Sequence, residues 1–156
     1  FHQLSQFRFG QMSLVLARST NDLGELYAVR LLLDTQGFLW FVLNDPRLSA
    51  TAQRLIVDPN NDIEISPASY WEIAIKISLK KYELQEPYEV FIERELADNQ
   101  FRILPILPKH TAALTTLPYH HRDPFDRLLI AQSIVEQIPI VSNDSAFDAY
   151  PVKRLW

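Results

Sequence analysis

Four short apolar runs, VRLLLD, DIEIS, FRILPI and IPIVS, recur along the chain with longer amphipathic stretches between them, and this alternation constrains the fold more than any other feature. Runs as short and apolar as RLLL and IPIV leave no polar face, which fits strands buried on both sides. Strands of that kind separated by helices pack as a parallel sheet with helices over both faces. The expected class is therefore α/β.

The intervening stretches carry helix-start signals. Ser49 is placed to cap a helix in SATAQRLIV. Ser66 followed by Pro67 gives a cap and then a proline at the first helical position of PASYWEIAIKISLKK. Asp123 and Pro124 repeat that order at the head of DPFDRLLIAQSIVEQ. FLWFVL, EPYEVFIERELADN and PKHTAALTTL also read as helical, DSAFDAY as a turn of helix, and VKRLW as a last strand. Residues 1–28 look different. They hold two of the three glycines and a polar start, and MSLVLA within them suits a strand or a helical turn equally. The expectation is an N-terminal extension over residues 1–28 and one domain over residues 29–156 of the 156-residue chain.

Composition removes several classes. There is no cysteine, which excludes disulfides and thiolate metal sites. Three glycines cannot build both a phosphate-cradling GxGxxG loop and the turns of the chain, and no nucleophile elbow is present. No apolar run approaches the roughly 18 residues needed to span a bilayer, and FHQLSQFRFG has no signal-peptide pattern, so a cytoplasmic protein without membrane contact is expected. The net charge of −4 runs against the basic surplus usual in nucleic-acid binders. A divalent cation held among several aspartates would offset part of that charge locally.

The acidic residues are the candidates for chemistry. In open α/β sheets, ligands bind beyond the carboxyl ends of the strands. Asp34 ends the first strand, Asp144 follows IPIVS, Asp123 and Asp126 open the helix feeding that strand, and Glu72 lies in the first turns of the helix after DIEIS. Carboxylates gathered there could not all stay ionised without a cation, and an all-oxygen set suits Mg²⁺ or Mn²⁺ rather than zinc. Local roles compete. Glu72 can pair with Lys76 four residues on, or form a capping box with Ser69. Asp123 reads as an N-cap, which makes Asp126 the third helical residue, favoured by the helix dipole. Asp144 can cap the next short helix. His120 and His121 read as a solvated pair, His110 as a residue near a helix start, and the tryptophans as core or interface.

Taken in order, LLLDTQGFLWFVL, SPASYWEIAIK, HRDPFDRLLIAQS and IPIVSNDSAFDAY resemble the PIN domain, and within it the VapC-type toxins of toxin–antitoxin pairs. The resemblance implies a three-layer α/β/α sandwich around a parallel sheet of about five strands. It implies a metal-dependent ribonuclease whose acidic set here is Asp34, Glu72, Asp126 and Asp144, with Asp34, Asp126 and Asp144 as metal ligands. Asp123 rivals Asp126 for the third place. Thr35 and Ser142 are auxiliary candidates, and Lys76, Arg122 and Arg127 are candidate phosphate contacts. The expected ion is Mg²⁺ or Mn²⁺. The expected partners are RNA, a cognate antitoxin and a second copy of the chain. A non-toxin PIN nuclease and a non-catalytic α/β binding module remain alternatives. A phosphohydrolase with an aspartyl nucleophile would need DxDxT where the chain has DTQGF.

Overall fold

A computed structural model describes residues 28–156; the expectations for the N-terminal extension, MSLVLA included, lie outside the described residues. Five strands form one parallel sheet in the order β3-β2-β1-β4-β5: β1 (Val29–Leu33), β2 (Asn61–Ile65), β3 (Arg102–Ile103), β4 (Ile140–Val141) and β5 (Arg154–Leu155). The described α-helices are α1 (Thr35–Val42), α2 (Ala50–Val57), α3 (Pro67–Ser78), α4 (Tyr88–Asp98), α5 (Pro108–Leu114) and α6 (Pro124–Glu136). A 3-10 helix, Ser145–Ala149, precedes β5.

Strand alternation divides the core into two. Leu31, Leu33, Ile63, Ile65 and Val141 pack with Phe38, Ile56, Ile73 and Phe91 from α1 to α4. Leu32 and Ile140 point the other way, onto Leu128, Leu129 and Ile130 of α6, with Leu117 and Phe147. Side chains two apart in a strand share a face, so a helix layer on each side follows, and the expected α/β/α sandwich is the fold observed.

The capping signals hold at residue level. Ser49 Oγ accepts the Ala52 N–H (3.0 Å) and Ser66 Oγ accepts the Ala68 N–H (3.2 Å). Asp123 Oδ1 accepts from both Phe125 (2.9 Å) and Asp126 (3.1 Å), so it is the cap of α6, with Pro124 at the first helical position. Register then aligns the strand ends. Leu33 pairs with Ile65 and with Val141, so the next residues, Asp34, Ser66 and Ser142, form a row beyond the sheet.

Candidate metal centre at the carboxyl edge of the sheet

Asp34 heads this row. It caps α1, with Oδ1 accepting the Gly37 N–H at 2.7 Å, and it is 5% exposed. A Cβ on Gly37 would lie 2.8 Å from that same oxygen and 2.8 Å from Leu33 Cδ1, so the approach of the carboxylate requires glycine there. Ser142 lies near enough to Asp34 to pull its carboxyl downward, and its oxygen accepts the Asp144 N–H at 3.0 Å. One serine therefore links the first and the last acidic candidates.

The others come from three separate elements. Glu72 lies in α3 at 8% exposure. One of its oxygens, Oε1, meets Lys76 Nζ at 2.7 Å, while Oε2 is buried with no hydrogen-bond partner among the described residues. Asp126 sits at the third position of α6 and turns inward, 3.3 Å from His121 Nε2. Asp144 caps the 3-10 helix through Oδ1, with Ala146 N–H at 2.9 Å, and its Oδ2 lies 2.8 Å from His121 Nε2.

These carboxyls feel one another. Burial pushes Asp34 up to about 6 against the pull of Ser142 and Gly37, and the charges of Asp144 and Glu72 add to the rise. Asp126 goes up to about 7: burial first, then the charge of Asp123, opposed by His121, with Glu72 and Asp34 raising it further. Such a set is matched by a divalent cation in two respects. Its donors are carboxylate oxygens, which suit Mg²⁺ or Mn²⁺. Glu72 Oε2 is also a buried acceptor with no partner among the described residues, the kind of atom a protein pairs unless a ligand does so.

Several candidates fall elsewhere. Arg127 corrects an expectation: it is 6% exposed, and its guanidinium donates to the carbonyls of Pro118 (2.8 Å), His121 (3.3 Å) and Leu117 (3.0 Å) beneath the Tyr119 ring. It holds the preceding loop and is not offered to a phosphate. Thr35 does not serve Asp34 either. As the first residue of α1 it faces α3, and its hydroxyl donates to Ser69 Oγ at 3.0 Å. Ser69 is thereby used without any capping box to Glu72. Lys76 is committed to Glu72, with its ammonium over the Tyr82 ring. Arg122 is exposed beside the acidic edge.

Sequence reasoning missed His121. Its ring is tilted against Phe147, and its Nε2 bonds Asp144 with Asp126 close by, one ligand atom from each of the three lying within 4.8 Å of the others. The available signal was its place two residues ahead of an N-cap, where the chain must turn back over the helix start. His110 lies near a helix start, as expected, at the third position of α5, and it is fully buried, bonded to Leu107 N–H and Glu136.

Comparison with known proteins bears on the fold and the family. No curated protein sequence matches the chain. The fold matches VapBC2 from Rickettsia felis, solved bound to a DNA fragment from its promoter, at TM-score 0.63 and 18% identity, covering 81% of this chain and 98% of that one. It matches FitAcB from Neisseria gonorrhoeae at TM-score 0.58 and 18% identity, covering 81% and 96%. PAE2754 from Pyrobaculum aerophilum follows at TM-score 0.54 and 14% identity, covering 81% and 83%. The family model for the PIN domain matches residues 31–153, nearly all of the described region, and the chain belongs to the PIN domain family.

Proposed function

We propose that this chain is a divalent-metal-dependent ribonuclease that hydrolyses RNA phosphodiester bonds and serves as the toxin of a VapBC-type pair. The observation that supports it best is the convergence of Asp34, Glu72, Asp126 and Asp144, from four separate elements, with two of them pushed far above the usual carboxylate range and one acceptor atom left orphaned. Asp34 and Asp126 are the main ligands in this reading, with Glu72 presenting Oε2 and Asp144 at the outer side. A divalent ion there supplies charge compensation at the scissile phosphate and a lowered pKa for bound water.

The chain's own residues do the rest. The Gly37 N–H fixes the direction of Asp34. Lys76 occupies Glu72 Oε1 and so leaves Oε2 for the interior of the cluster. Arg122, exposed at the edge, is the cation best placed to meet the RNA backbone. Single-stranded or loop RNA fits an open acidic edge better than a duplex, because its backbone is accessible and its bases can splay.

A protein partner is part of the proposal. The neighbours named VapBC2 and FitAcB point to an antitoxin, which would cover the acidic edge with a basic group. Trp71 on α3 and Leu79 just past its end are 59% and 60% exposed, apolar surface that supports a partner chain, including a second copy. The deciding experiment compares wild type with Asp34→Asn on a loop-containing RNA, with Mg²⁺ and with chelator. Cleavage is expected only for wild type with Mg²⁺; equal cleavage in every lane would end the metal-nuclease reading.

A further inference from the structure

We propose that His121 is a positioning residue that donates from Nε2 to Asp144, beside Asp126, and that it stays outside the metal's ligand set. The inference rests on the nuclease reading only in that the two carboxylates are taken to serve an ion.

By distance alone His121 would pass for a ligand, since its Nε2 lies within 4.8 Å of the chosen oxygens of Asp126 and Asp144. The hydrogen bonds argue otherwise. His121 Nδ1 is 3.2 Å from the Asp123 backbone nitrogen, whose N–H must donate. That bond uses the Nδ1 lone pair and puts the ring proton on Nε2. The Nε2–H then points at Asp144 Oδ2 (2.8 Å), with Asp126 Oδ2 3.3 Å from the same nitrogen. A metal on Nε2 would need a lone pair there, which moves the proton to Nδ1 and sets two N–H groups against each other across 3.2 Å.

His121 is also fixed before anything binds. Its backbone N–H donates to the Tyr150 hydroxyl (2.8 Å), its carbonyl accepts from Arg127 (3.3 Å), and its ring lies tilted on Phe147. The molecule uses the same device where no ion is at issue. Fully buried His110 accepts the Leu107 N–H on Nδ1 (3.0 Å) and offers Nε2 to Glu136 Oε1 (2.7 Å). In both places a backbone N–H selects the tautomer, and the far nitrogen holds a carboxylate. With Oδ1 on Ala146 and Oδ2 on His121, Asp144 has its direction set by protein donors. The less engaged acceptors, Glu72 Oε2 foremost, are left for the ion.

Three measurements test this on the full chain. In metal-free protein, long-range ¹⁵N–¹H spectra are expected to show His121 protonated on Nε2. In calorimetric titration with Mn²⁺ alone, His121→Ala is expected to weaken binding roughly 10–100-fold. His121→Gln, whose amide donates from near the Nε2 position, should recover most of that loss, and the shorter His121→Asn should not. Electron spin-echo spectra of the Mn²⁺-loaded protein are expected to show no directly bound imidazole nitrogen. A ring proton on Nδ1, unchanged Mn²⁺ affinity in a folded His121→Ala, or a bound-nitrogen signal that His121→Ala removes would each overturn this inference alone. Wild type that takes up no Mn²⁺ would sink the nuclease reading and this inference together.

Discussion

Helix α6 carries an acidic side chain at each end, Asp126 in its first turn and Glu136 in its last, about 15 Å apart along the axis. Their surroundings are opposite. Glu136 is met by Lys109 (3.0 Å), His110 (2.7 Å) and Arg30 (3.6 Å), and Arg30 also grips Glu64 through two bonds of 3.1 Å. Hydrogen bonds from Lys109 and His110 hold the Glu136 carboxyl down to about 2. Asp126 has a histidine, but its other neighbours are Asp123, Glu72 and Asp34, and it sits up at about 7. At one end the charges are balanced by the protein's own cations. At the other the protein gathers like charges and balances them incompletely, which costs stability and is the arrangement expected where the balance comes from outside.

The contrast can be broken in four ways. The largest effect should come from Asp34→Asn or Asp126→Asn. Each is expected to lower Mg²⁺-dependent RNA cleavage on the order of a hundredfold or more. Each should also raise the unfolding midpoint of metal-free protein near neutral pH, because a repelling charge is gone. Loss of stability in place of a gain would mean that the acidic end is balanced after all.

Acid and base should act oppositely on the two ends. Asp34 and Asp126 have folded values raised from 3.8, to about 6 and about 7, so the folded state binds the extra protons. Their favourable contribution is complete below the unfolded value and is lost as pH rises through about 6 and 7. Glu136 is lowered from 4.5 to about 2, so its contribution is present above 4.5 and is lost as pH falls toward 2. Urea unfolding in chelator should therefore find the protein more stable at about pH 5 than at about pH 8, by a few kcal/mol. Saturating Mg²⁺ should shrink the gap; a gap unchanged by Mg²⁺ would separate the acidic end from any ion.

His110→Ala should cost about 1–3 kcal/mol, since it strips a buried donor from Glu136 and an acceptor from the Leu107 N–H. Mn²⁺ affinity should not move, and a change there would show that the two ends communicate. The smallest effect is Asp123→Ala. Losing the cap should cost about 0.5–2 kcal/mol while Mg²⁺-dependent cleavage persists. Lost cleavage with full stability would exchange the roles of Asp123 and Asp126.

Much of the architecture was legible in the chain because it depends on local rules. Period-two burial in VRLLL and cap-plus-proline at Ser66 and Asp123 are decided within a few residues. FRILPI reads longer than the two-residue β3 because apolarity reports burial, not ladder pairing: Phe101 and Leu104 are buried while Arg102 and Ile103 between them are exposed. The places of Asp34, Asp126 and Asp144 were legible because each sits at a strand end or helix start, positions that sequence marks. His121, Gly37 and Arg127 were not. Their roles depend on how one loop lies over another element: a ring between two distant carboxylates, a missing Cβ under Asp34, and a guanidinium under a turn. Period and propensity do not encode such distances.

The three carbonyls on Arg127 have one further consequence. They bolt residues 117–121 to the same helical turn that bears Asp126, so His121 and Asp126 belong to one rigid wall. A visitor to the acidic edge meets a fixed wall on that side and must enter past its rim. An ammonium would gather its donors at one point on a flexible stem, so the wall's stiffness depends on a flat, forked side chain whose two end nitrogens reach carbonyls from three residues.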